Sequence, residues 1–155
     1  MATLTAAPIT PPGFTGSVPI PLSVVVDDDD DDPVVSTLLA TRLGQLGVEV
    51  TLVSDGESGV TATRALLPDL VIMDWLMRGM SGLEACEALR DDPDPTVAAT
   101  PVFLMTSRDR LADMRLGYAA GVSDYFVKPL PLRTLVDRVC AVLLGAPAGH
   151  LSPVP

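Results

Sequence analysis

Short apolar runs alternate with amphipathic stretches through the middle of the chain. Residues 22–26, 48–53, 70–73, 102–105 and 125–127 are compact runs rich in Val, Ile or Phe, the composition of strands covered on both faces. Between and after them, 33–46, 56–67, 82–90, 109–120 and 132–144 carry apolar residues at helical spacing. Pro33 in a first helical turn and Gly47 just past an end bound the first helix, and Pro68 stops the second. Two helix starts carry capping boxes, Ser54-Asp55-Gly56-Glu57 and Ser81-Gly82-Leu83-Glu84, in which the Ser oxygen accepts from a free backbone N–H and the Glu bonds back. Strict strand and helix alternation predicts an α/β fold with a parallel sheet between two helical layers, because parallel strands need crossover connections of one hand.

The flanks lack this periodicity. Residues 1–21, rich in Pro, Thr and Gly, read as a mobile tail and 145–155 as a second flexible one, which leaves a single domain over 22–144. With 48% hydrophobic and 19% charged residues the chain has material for one aliphatic core. A net charge of −10 opposes binding to a phosphate backbone, so direct nucleic-acid contact is not expected. The uncharged first 26 residues are broken by Pro8, Pro11, Pro12, Pro19 and Pro21 and lack a basic leader, and the longest later apolar stretch, 139–149, is too short to cross a bilayer. Cys86 and Cys140 are too few for a disulfide framework and sit in apolar helical patterns. These features predict a cytoplasmic protein in a reducing compartment.

Charge changes the picture locally. Six of the twenty acids form one run, 27–32, where the first strand ends. In a doubly wound sheet, ligands bind beyond the carboxyl ends of the strands, and those ends here carry Asp27 and Asp28, Asp74, Thr106 with Ser107, and Lys128 before Pro129. Clustered carboxylates repel one another, and a hard cation that accepts oxygen ligands and retains water relieves that repulsion, which suits Mg²⁺. A central carboxylate can attack phosphorus while a hydroxyl and an ammonium hold the oxygens around it, so Asp74 is the candidate nucleophile and Lys128 the candidate phosphate clamp. A calcium loop fits the acidic run poorly: its sixth position is Asp32 rather than Gly and its twelfth is Leu38 rather than Glu.

Taken in order, Val24-Val25-Val26-Asp27-Asp28, Asp69-Leu70-Val71-Ile72-Met73-Asp74, Gly79-Met80-Ser81-Gly82, Pro101-Val102-Phe103-Leu104-Met105-Thr106-Ser107 and Gly121-Val122-Ser123-Asp124-Tyr125-Phe126-Val127-Lys128-Pro129 resemble the receiver domain of bacterial two-component response regulators. The resemblance implies a flavodoxin-like five-stranded sandwich of strand order 2-1-3-4-5. It implies Asp74 as phosphoacceptor, Asp27, Asp28 and the backbone carbonyl of Leu76 as further Mg²⁺ ligands, Thr106 and Tyr125 as switch residues, and Lys128 as phosphate binder. Its implied partners are a sensor histidine kinase or phosphotransfer protein and a downstream protein that reads the fourth helix, fifth strand and fifth helix. The family has two or three acids where this chain has six; counting from the strand selects Asp27 and Asp28, and counting back from Pro33 selects Asp30 and Asp31. Arg78 stands where the family commonly has Pro. Two other functions remain open on the residues alone: a receiver-like scaffold that works without phosphate, and a Mg²⁺-dependent phosphohydrolase of the haloacid dehalogenase type. The motif order disfavours the hydrolase, which carries its nucleophile on the first strand, and the expected role is a signalling module rather than an enzyme.

Overall fold

The computed structural model describes residues 2–4, 22–26, 33–129 and 132–144. Strands β1 (Ala2–Leu4), β2 (Leu22–Val26), β3 (Glu49–Val53), β4 (Leu70–Asp74), β5 (Val102–Thr106) and β6 (Asp124–Val127) form one sheet. They are joined by helices α1 (Pro33–Gln45), α2 (Gly56–Leu66), α3 (Gly82–Arg90), α4 (Pro95–Ala98), α5 (Leu111–Ala119) and α6 (Leu132–Leu144). The sheet order is β1-β3-β2-β4-β5-β6. From β3 to β6 the strands are parallel and follow the expected order 2-1-3-4-5, so the flavodoxin-like α/β class holds.

The sequence reading is corrected in three places. Residues 2–4, assigned to a mobile tail, form a sixth strand antiparallel to β3, with Thr3 opposite Thr51. Three residues among prolines and threonines carry too little pattern to mark a strand; pairing with an edge creates it. The short helix α4 was not expected, although Asp94 accepts from the Thr96 N–H as its cap and Pro95 opens it. At α2 the cap is Asp55, not Ser54: its two carboxylate oxygens accept from the Ser58 N–H and the Ser58 hydroxyl. The Ser81 cap of α3 is as read, accepting from the Glu84 N–H.

Alternation along the strands sorts the core into two layers. Val71 and Met73 of β4 with Val102 and Leu104 of β5 face Val60, Ala85, Cys86 and Leu89 of α2 and α3. Leu70 and Ile72 with Phe103 and Met105 face Leu39, Leu43, Leu135 and Val139 of α1 and α6. Each fully buried Leu or Ile here contributes roughly 1.5–3 kcal/mol through the water it sheds. The two layers clamp the sheet and fix the ends of its strands.

Candidate functional site

Register brings the polar strand ends to one edge. Asp74, the last residue of β4, lies opposite Met105, so Thr106 ends β5 one step further on. Thr106 in turn lies opposite Val127, and the next residue is Lys128, whose N–H donates to the Thr106 carbonyl at 2.8 Å. Lys128 Nζ reaches back to Asp74 Oδ2 at 2.6 Å. Two of the three predicted phosphate-handling residues are thus in contact, and the third is bonded to one of them through the backbone.

Asp74 is held from below by an unusually close helix. The Trp75 N–H donates to the Met105 carbonyl and the Gly82 N–H to the Trp75 carbonyl. A Cβ on Gly82 would lie 2.2 Å from the Asp74 carbonyl oxygen, so only glycine lets α3 begin there. The Asp74 side chain is 14% exposed: shielded enough to strengthen its ion pair, open enough to be reached.

Thr106 is buried, and its Oγ1 accepts from the Arg108 N–H at 3.1 Å. Tyr125 is buried as well, with its hydroxyl donating to the Arg108 carbonyl at 2.8 Å and its ring edge-on to Trp75. Burial, with Asp113 and Asp109 adding to it and Arg108 opposing, pushes the Tyr125 phenol above its ordinary range, so it stays a hydrogen-bond donor. Leu76 follows in the exposed turn after β4. Asp27, Asp28 and the alternative pair Asp30 and Asp31 lie outside the described residues, and among the described residues no group of three His, Cys, Asp or Glu gathers. Val26, the residue before Asp27, is in register with Met73, the residue before Asp74. The chain therefore leaves β2 at the edge where Asp74 supplies one hard oxygen donor, of the kind that suits Mg²⁺ rather than a softer metal.

Sequence reasoning missed the packing of Gly82 and the contacts of Arg108, whose guanidinium lies 5.0 Å from the centre of the Trp75 ring. A glycine after a capping Ser and an arginine in a loop carry no local signal of either.

The response regulator receiver domain matches residues 24–140. The chain belongs to the response regulator receiver family. The DNA-binding response regulator MtrA of Mycolicibacterium smegmatis is 36% identical over 111 residues, covering 72% of this chain and 46% of MtrA. The phosphate regulon transcriptional regulatory protein PhoB of Rhizobium meliloti is 36% identical over 117 residues, covering 76% of this chain and 51% of PhoB. The receiver chain thus spans about half the length of these relatives. Among solved structures, the BeF3-activated N-terminal receiver domain of Klebsiella pneumoniae RstA superposes with TM-score 0.68 at 31% identity, covering 79% of this chain and 97% of that one. A response regulator from Chloroflexus aurantiacus J-10-fl gives 0.69 at 31%, with 80% and 98% covered. Membership makes this receiver chain a signalling module of two-component systems rather than a hydrolase of the haloacid dehalogenase type.

Proposed function

We propose that this receiver domain accepts a phosphoryl group on Asp74 from a phosphohistidine of a sensor kinase or phosphotransfer protein. The observation that carries the reading is the 2.6 Å contact between Lys128 Nζ and Asp74 Oδ2 at the strand edge that also ends in Thr106. An Asp74 carboxylate oxygen attacks phosphorus, the P–N bond to imidazole breaks, and a P–O bond to Asp74 forms; the imidazole leaves with a proton from solvent. Lys128, freed from the carboxylate oxygen, follows the negative charge onto the phosphoryl oxygens, and the Thr106 hydroxyl turns to donate to one of them. Asp27, Asp28, Asp74 and the Leu76 carbonyl would hold Mg²⁺. When bound, Mg²⁺ neutralises the charge that gathers on the transferring group.

The new dianion then biases a surface rather than a reaction. Withdrawal of Thr106 from its bond to Arg108 leaves space and an unpaired N–H in the loop that carries Tyr125's acceptor, so the effect reaches α5, β6 and α6. α5 presents Leu111, Leu116 and Tyr118 to solvent, apolar area that a downstream protein can cover. The charge of −10 disfavours nucleic acid as the direct partner of this chain, although the name of the MtrA relative records DNA binding for that longer protein. Among the described residues no helix is long and apolar enough to cross a membrane, in keeping with action beside a kinase in the cytoplasm.

Intact-protein mass after incubation with Mg²⁺ and a small acyl-phosphate donor tests the reading. The expected result is one hydroxylamine-labile phosphoryl adduct that is absent from Asp74→Asn and absent without Mg²⁺. A folded protein that gains no adduct overturns it and leaves phosphate-independent binding as the function.

A further inference from the structure

Among the described residues, side-chain caps open three helices: Asp55 on α2, Ser81 on α3 and Asp94 on α4. α5 does not, for Arg110 at its N-cap makes no such bond. The start of α5 is fastened instead by Arg108, two residues earlier. Arg108 Nη1 pairs with Asp113 in the first turn of α5 at 3.3 Å, and its guanidinium lies over the ring of Trp75, the residue after Asp74. Its backbone N–H donates to Thr106 Oγ1, and its carbonyl accepts from the Tyr125 hydroxyl. Contacts to the ends of β4 and β5, to α5 and to β6 therefore pass through a single exposed loop residue.

We propose that Arg108 is a positioning residue that latches the unphosphorylated arrangement, its guanidinium clamped between Trp75 and Asp113 so that its own N–H holds Thr106 Oγ1 turned toward the loop. The consequence for phosphorylation rests on Asp74 being the phosphoacceptor; the clamp on α5 does not. The bond from Arg108 uses a lone pair of Thr106 Oγ1, so it is rotation of the Thr106 side chain toward Asp74, carrying Oγ1 away, that breaks this bond and strands the N–H unless the loop moves. Loop movement must lift the guanidinium off Trp75 and part it from Asp113. The Arg108 side chain is nearly half exposed, and each of its two contacts shifts a two-state population by only about two- to fivefold. A latch of that size holds the resting state without blocking the switch. A planar guanidinium can stack and pair at once, whereas an ammonium keeps the pair and loses most of the stack.

The test uses the full chain with Arg108→Met, Arg108→Lys, Asp113→Asn and the Arg108→Met/Asp113→Asn double variant. In unphosphorylated, metal-free protein, exchange of the first hydrogen-bonded amides of α5, from Met114 onward, is expected to quicken about threefold in Arg108→Met and Asp113→Asn. Arg108→Lys should fall between wild type and Arg108→Met. The double variant should exchange no faster than Arg108→Met, because both changes remove one shared contact. Unchanged exchange in Arg108→Met, or additive effects in the double variant, overturns the clamp. With Mg²⁺ and acetyl phosphate, Arg108→Met should gain the Asp74 adduct about two- to fivefold faster. A loosened α5 with an unaltered rate of adduct formation overturns the latch and leaves Arg108 purely structural. Absence of any adduct in the wild type refutes the phosphoacceptor reading instead, while amide exchange still judges the clamp.

Discussion

Lys128 is the only lysine in the chain, and its Nζ touches the one carboxylate that ends β4. The pair is partly shielded, so removing the ammonium removes both the counter-charge of Asp74 and the cation that would follow the phosphoryl group. Lys128→Met is expected to slow adduct formation by about 10²–10³-fold, the size of loss seen when one preorganised charge is taken from a developing anion. Mass spectrometry at short times with a folded variant checks this, and a rate within a few-fold of wild type contradicts it. Cys86 gives a prediction in pH. Burial among the α2 and α3 side chains pushes its thiol up, with Arg90 partly offsetting, and its Sγ lies 3.5 Å from the Ala120 carbonyl oxygen. The native thiol therefore keeps its proton where the unfolded chain has lost it. The contribution to stability is intact below the unfolded value, near pH ~8.5, and is lost as pH rises from there through the native value. Urea midpoints should fall more steeply above about pH 8.5 in the wild type than in Cys86→Ala, even though the Ala variant is the less stable of the two. Equal slopes in the two proteins would count against the shift.

The contact between α3 and β4 governs the site from one level up. Gly82→Ala would drive a methyl group into the Asp74 carbonyl, and either the helix or the strand end must yield. A loss of about 1–3 kcal/mol in thermal or urea unfolding is expected, together with impaired adduct formation in the fraction that stays folded. Gly117 differs in kind: a Cβ there meets Tyr125 ring carbons at 3.0 and 3.1 Å, and a ring can tilt. The helix gains about 1 kcal/mol from Ala over Gly while the ring loses its seat. Gly117→Ala should therefore change stability by less than about 1 kcal/mol and still shift the Tyr125 ring resonances. Such close approaches mark where sequence reading stops. The strands were legible because β4 and β5 bury both faces and are apolar throughout, and the polar residues that interrupt them, Asp74 and Thr106, fall at their ends. The Ser81 cap was legible because its partner lies three residues away. The Trp75, Arg108 and Asp113 cluster was not, because the turn after β4, the loop after β5 and the first turn of α5 meet only in the fold, and the helical spacing of α5 marks its apolar face and not its partners.

At the scale of the molecule, the outer strand β1 is the feature that sets this sheet apart from a five-stranded receiver. It pairs with β3 through three registered residues, from Ala2 opposite Leu52 to Leu4 opposite Val50. Each of a few edge hydrogen bonds contributes about 0.5–1.5 kcal/mol, while ordering each residue costs about 1–2 kcal/mol, so the strand is close to neutral for stability. Its effect lies elsewhere. Without it, β3 presents a row of free N–H and C=O groups along an edge that another chain can extend. Removal of residues 1–5 should thus change the unfolding free energy by about 1 kcal/mol or less and leave phosphorylation at Asp74, on the far side of β2, unaltered. The same truncation should promote concentration-dependent self-association, measurable by light scattering coupled to size exclusion. Association of the truncated chain, absent from the full chain at the same concentration, would identify β3 as the adhesive edge, and a truncated chain that stays monomeric at high concentration would show that β1 protects nothing.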